Sequence, residues 1–262
     1  AIGGNAIGTG SGGSGGNVTI SGGAGSINVN STISVAGGSG QSGGNVNITG
    51  SNTLAVTGAI TTSGGTASTG NAGNNAGSVT LSGGTLSYNT ITASGSAAAS
   101  ASNANGGNGG AVSLAATNAG ATITIGTAIA SSGAAGNGTG VAGTGGGLTL
   151  ESDNLTVSTA VALGNGQLSI RPSSSTRDTR LGGVGVFSGL NLTDALLGNF
   201  SGYSSLTVGS STGNGNVSTG SVRTMGANVG VTLQSGVTSG TVNVANNVTT
   251  SGTGSITLAS GN

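Results

Sequence analysis

The sequence predicts an all-β fold: a parallel β-solenoid, or β-helix, with about three strands per coil. Three observations carry that expectation. An apolar-x-apolar triplet recurs after Gly-rich runs; a second triplet and a third apolar position follow it at near-constant offsets; and 59 of the 262 residues are Gly. Each Gly would cost roughly 1 kcal/mol relative to Ala in a helix interior, so long helices are excluded. Period-2 alternation over a few residues between Gly, Asn and Ser is the signature of short strands.

The first triplets are Val18-Thr19-Ile20, Val46-Asn47-Ile48, Val79-Thr80-Leu81, Val112-Ser113-Leu114 and Leu148-Thr149-Leu150, stepping by 28, 33, 33 and 36 residues. Their outer residues are the predicted core ladder: Val18, Ile20, Val46, Ile48, Val79, Leu81, Val112, Leu114, Leu148 and Leu150. The second triplets begin at Ile27, Leu54, Leu86, Ile123 and Leu155, and the third positions are Ile33, Ile60, Ile91, Ile129 and Val161. One such coil cannot bury its own apolar face, so stacking on neighbours must complete the core. The middle residues, mostly Thr, Ser and Asn, then face solvent.

Between the third strand of one coil and the first of the next lie the variable segments 36–45, 63–77, 94–110 and 130–147, built almost wholly of Gly, Ser, Ala and Asn. All fall at one corner. They are loops or a continuation as stacked Gly-rich extended segments, and their uniform composition favours the second.

Three sections follow from this pattern: regular coils over 1–165, an irregular module over 166–205 with most of the charges, and resumed coils over 206–262 that end mid-coil. Seven of the eight charged residues lie between Glu151 and Asp194. The strand Gln167-Leu168-Ser169-Ile170-Arg171 stops at Pro172, the only proline. Irregular, turn-like chain is expected over about 171–203, with Thr193 or Asp194 capping a short helical turn that includes Leu196 and Leu197. Coils resume at Val217, Val222, Val229-Gly230-Val231-Thr232-Leu233, Val242, Val248 and Ile256. The head begins with Ile2 and Ile7 and runs Gly-rich to Gly16. Joined tail to head, Ile256 to Val18 spans 24 residues, close to the first complete coil, so the ends read as complementary halves of one coil.

Composition excludes several function classes. With no Cys and no His there is no thiol nucleophile, disulfide framework, imidazole base or common zinc site. Zero net charge and no Lys argue against a nucleic-acid partner. No apolar stretch is long enough to span a membrane as a helix. The first residues show no basic and apolar signal-peptide pattern. The Leu, Ile, Val and Phe content, 53 residues or about 20% of the chain, borders on a disordered composition. Disorder usually adds high net charge or many prolines, and neither is present.

The chemistry-bearing residues are few. Glu151 with Asp153, and Arg171, Arg177, Asp178, Arg180 and Asp194, are the only candidates for a polysaccharide-processing site of the kind some β-helices carry. The simpler reading is local pairing that fixes the irregular module, each exposed pair contributing under about 1 kcal/mol. Calcium-binding coils would need an Asp after Gly-Gly, and none stands there. An ice-binding face would need a regular Thr ladder, whereas the middle residues vary. The Gly-rich runs precede neither a helix nor a Lys, so no phosphate cradle is expected. Sequons at Asn17, Asn47, Asn154 and Asn216 read as strand-edge Asn before Thr or Ser. Tyr88, Phe187, Phe200 and Tyr203 read as core plugs. No catalytic, cofactor or metal residue is predicted, and no cofactor.

The stretch 168–215 resembles a recurring module of giant bacterial β-strand-repeat proteins of the filamentous-haemagglutinin adhesin type. Leu168-x-Ile170-Arg171-Pro172, Leu181-Gly182-Gly183, Leu190-Asn191-Leu192-Thr193 and Tyr203-Ser204-Ser205-Leu206-Thr207-Val208-Gly209 carry the resemblance. The module motif residues are Arg171, Pro172, Leu190, Leu192 and Asp194. The resemblance covers about a fifth of the chain closely, and the flanking coils resemble those of the same proteins more loosely. It implies a right-handed, secreted or cell-surface fibre; the export domain of such proteins is not visible in this sequence. The expectation is a structural or adhesive segment without catalysis, partnered by neighbouring coils or copies of the same chain, by glycans or by other cell-surface molecules. The rivals are a filament, matrix or sheath subunit stacking end to end, a polysaccharide-processing enzyme and an ice-binding solenoid.

Overall fold

The computed structural model describes residues 2–3, 12–100, 103–236 and 239–260; Ile7 lies outside them. The chain is a parallel β-solenoid. Its strands are numbered in chain order and distribute over three faces. The first face is one nine-stranded sheet: β1 (Val18–Ser21), β4 (Val46–Thr49), β7 (Val79–Gly83), β10 (Val112–Ala116), β13 (Leu148–Glu151), β16 (Gln167–Arg171), β20 (Ser205–Val208), β23 (Gly230–Gln234) and β26 (Ile256–Ala259). Every neighbouring pair is parallel and in the register that the triplets predict, Val46↔Val79 and Val112↔Leu148 among them.

The second face carries β2 (Ile27–Val29), β5 (Thr53–Val56), β8 (Thr85–Tyr88), β11 (Thr122–Ile125), β14 (Asn154–Val157), β17 (Thr179–Leu181), β18 (Leu190–Leu192), β21 (Val217–Thr219) and β24 (Val242–Asn243). The third face stacks β3 (Ile33–Ser34), β6 (Ile60–Thr61), β9 (Ile91–Thr92), β12 (Ile129–Ala130), β15 (Val161–Ala162) and β19 (Phe200–Ser201), and it resumes as the separate pair β22 (Arg223–Ala227) and β25 (Val248–Ser251).

Inward columns form the core. Val46, Val79, Val112, Leu148, Leu168, Leu206 and Val231 line up with at most 1% exposure, beside Ile48, Leu81, Leu114, Leu150, Ile170, Val208 and Leu233. Burying each such side chain contributes roughly 1.5–3 kcal/mol. Val18 and Ile20 are half-buried, because β1 pairs on one side only. Phe200 closes a third-face column, and Tyr88 and Tyr203 pack against the core. Phe187 differs from the expectation of a core plug. It sits outside, beneath Arg180, because its loop leaves the barrel wall between β17 and β18.

The module over 166–205 breaks the one-strand-per-face rule. The second-face order β18-β17-β21-β24 places β18 on the β14 side of β17, although β17 comes first in the chain. The chain runs through β17, loops outward over 182–189 and returns to fill the rung before it. This face therefore gains one strand relative to the third, whose ladder stops at β19. Between β18 and β19 stands the helical turn α1 (Asp194–Leu197), with Thr193 as its N-cap accepting from the Leu196 amide at 3.2 Å. Leu197 enters the core.

The Gly-rich segments are stacked arms. Outgoing residues donate to the next coil, as in Gly37 N to Ser63 O, Gly64 N to Ser94 O and Gly95 N to Ser132 O, and so do returning ones, as in Gly43 N to Asn75 O and Gly109 N to Thr144 O. The two arms of one segment also bond each other: Gly44 N to Val35 O, Gly77 N to Thr62 O, Gly146 N to Ser131 O. They are extended but not β-strand. Gly40, Gly70 and Gly138 turn their tips with positive φ. The next coil returns directly through Gly164-Asn165-Gly166 to β16, and the stack of arms stops there.

Candidate functional site

The charged residues gather where the turns after β10, β13 and β16 stack. Asp153 follows β13 with only 1% exposure. Its Oδ1 accepts from Ser173 Oγ at 3.0 Å and Ser174 N at 2.8 Å, and its Oδ2 from Gly120 N at 2.8 Å and from Ser174 Oγ. One carboxylate thus ties together three successive turns. Burial pushes its pKa up, but the bonds from Ser174, Gly120 and Ser173 outweigh that and hold it below the usual range.

Arg177 lies beside it, with Nε donating to Asp153 O at 3.0 Å and a terminal nitrogen to Asn154 Oδ1 at 3.1 Å. Asp178 accepts Asn216 N on Oδ1 at 2.8 Å, and its carbonyl accepts Leu190 N. With Thr176, Ser188 and Gly189, these side chains line an open cleft of about 380 Å³, floored by Gly120 and Asp153. The 182–189 loop forms one lip and is tied down. Arg180 donates to Asn191 Oδ1 at 3.1 Å and to Gly185 O at 3.0 Å, Asn191 donates to Gly185 O, and the Arg180 guanidinium lies 4.9 Å from the Phe187 ring centre.

The remaining charges are structural. Glu151 and Arg171 are direct cross-strand partners on the outer face and pair at 2.5 Å. Asp194, in the first turn of α1, accepts from Ser221 Oγ at 2.9 Å, Gly183 N at 3.3 Å and Arg223 at 3.0 Å. Burial pushes its pKa up, and the bonds from Ser221, Gly183 and Arg223 outweigh that, leaving it below the usual range. Of the motif residues, Leu190 and Leu192 are core, and Pro172 is buried beside Arg171 at the end of β16.

Ion pairing, the simple expectation for these charges, describes Glu151 with Arg171 and Asp194 with Arg223, each pair spanning successive coils. Asp194 reaches forward to Arg223 in the following coil, while Asp153 and Asp178 take hydroxyl and backbone donors. Sequence reading had no signal for Gly120, Ser173, Ser174, Ser221 or Arg223 as partners, because each lies about one coil away. Among the described residues, no group of three or more His, Cys, Asp or Glu is placed to hold a metal ion. Nor is any helix among the described residues long and apolar enough to cross a membrane.

The fold defines the class: a parallel β-solenoid with Gly-rich arms and one inserted rung. No family model, curated protein or solved structure matches the chain.

Proposed function

We propose that the chain is a structural and adhesive segment of an extracellular bacterial β-solenoid fibre, without catalysis. The observation that carries this reading is the nine-strand parallel ladder of the first face, with its continuous inward columns. Each rung hydrogen-bonds to the next along the axis, so the unit is a stiff rod, about 38 Å long over its nine rungs at the usual strand spacing. Eight charges and no Lys leave little for salt to screen and few sites for trypsin-like cleavage. The module's resemblance to adhesin-type repeats supports a place on the cell surface, with copies of the chain, glycans or other surface molecules as partners. Antibodies against the chain are expected to label intact source cells, and external protease shaving is expected to remove the label. Labelling only after permeabilisation overturns the reading.

A further inference from the structure

The cleft beside the 182–189 loop has an unused hydrogen-bonding set. Asp178 engages Oδ1 alone, leaving Oδ2 facing no donor among the described residues. Arg177 is fixed through Nε and one terminal nitrogen, which leaves the other terminal nitrogen as a donor. Thr176 and Ser188 are exposed at the cleft and make no hydrogen bond within the described chain. An anionic acceptor, a guanidinium donor and two hydroxyls therefore converge on about 380 Å³, near the lower end of the roughly 300–1,000 Å³ that small-ligand sites occupy.

The loop that supplies one side of the cleft also exposes apolar side chains. Val184 and Val186, on the loop that supplies Ser188 and Gly189, are 87% and 102% exposed. Arg180 and Asn191 hold that loop by three hydrogen bonds to its Val184 and Gly185 carbonyls, and Arg180 also covers Phe187. The loop is therefore preorganised, and ordering it would cost little on binding. Metal binding fits poorly, because both Asp153 oxygens already accept from N–H and O–H donors. An anion fits poorly too, since Asp178 faces the same space as Arg177.

We propose that this cleft binds a neutral saccharide unit. Asp178 Oδ2 accepts from two adjacent sugar hydroxyls, Arg177, Thr176 and Ser188 bond the neighbouring oxygens, and Val186 or Val184 packs on the C–H face of the ring. A pyranose combines a hydroxyl rim with an apolar face, which matches a polar cleft whose loop also exposes apolar side chains. The inference deepens the adhesive half of the reading above and rests on it for its biological sense.

The test is binding of the purified chain to immobilised neutral, sialylated and sulfated glycans. A neutral glycan is expected to bind, and Asp178→Asn is expected to weaken it about tenfold or more by removing a charged hydrogen bond. That variant keeps an Oδ1 acceptor for Asn216 N, and an unchanged thermal melt verifies the fold. Ser188→Leu, at the exposed mouth, is expected to abolish binding by filling the cleft, and Thr139→Ala, on a distant arm, to leave it unchanged. Binding to no glycan, to charged glycans alone, or undiminished in both cleft variants overturns the proposal. Surface labelling of cells would survive any of those results, so failure of the saccharide site stays distinct from failure of the fibre reading.

Discussion

Asp153 shows how one buried residue holds this molecule together. Four donors from two other coils converge on it, so Asp153→Ala removes the shared acceptor of the Gly120 and Ser174 amides and of the Ser173 and Ser174 hydroxyls. The expected loss is about 1.5–3 kcal/mol, the usual worth of hydrogen bonds to a charged group. Its folded pKa is lowered, as is that of Asp194. A lowered folded value means that the stability each contributes is complete above the unfolded value of about 4 and is lost as pH falls through the folded one. Thermal melts are therefore expected to be flat from neutral pH down to that point and to decline below it, with a shallower decline in Asp153→Asn. Tyr88 is the opposite case. Its phenol oxygen is buried with no partner among the described residues, and burial pushes its pKa well above the usual value. Tyr88→Phe removes an unsatisfied group at almost no change in volume. A chemical-denaturation midpoint equal to or above that of the parent is expected, with a gain of up to about 1 kcal/mol.

At the scale of elements, the Gly-rich arms are the part most dependent on backbone approach. A Cβ on Gly65 would lie 1.8 Å from the Gly38 carbonyl oxygen of the neighbouring arm. Gly65→Ala must therefore push two hydrogen-bonded arms apart, and a cost of about 1–3 kcal/mol is expected, as for other overpacking changes. Gly23, in the turn between β1 and β2, has nothing within 4 Å of its Cβ position and no positive φ. Gly23→Ala is expected to change stability by less than about 0.5 kcal/mol, and comparing the two melting curves checks the contrast. Asparagine works between elements in a related way. Asn17 Oδ1 accepts Asn45 N, Asn45 Oδ1 accepts Ser78 N, and Asn216 Oδ1 accepts Thr241 N. The sequon asparagines Asn17 and Asn216 therefore splice the coil entrances.

For the whole molecule, a solenoid's stability is a sum of rungs and nearest-neighbour interfaces. The third-face ladder is interrupted between β19 and β22, beside the inserted second-face strand. Beyond it the core thins: β25 alternates half-buried with exposed residues, and all of β26 is exposed. Amide exchange is expected to be slowest in β7, β10 and β13 and to quicken through β25 and β26, with a step at the interruption. Uniform protection along the axis would contradict that picture.

The sequence by itself determined the coil. The outer triplet residues of β1, β4, β7, β10 and β13 were legible, because a period of two and a step near 30 residues both follow from stacking one apolar face on the next. The cap of α1 was legible for the same local reason. The tertiary structure alone decided what depends on neighbours about one coil away. The reversal of β17 and β18 was one such outcome, since Thr179-Arg180-Leu181 reads as the end of a polar, turn-like stretch and not as a strand. The burial of Asp153 was another: alternation from Leu150 would turn it outward, and the stacked turns at Gly120 and Ser174 enclose it instead. The cleft was a third, for Arg177, Asp178 and Ser188 meet only because the inserted rung folds its loop back over the turns. Periodicity registers side chains along a strand, whereas partners across coils are chosen by loop lengths and turn geometry that the period does not encode.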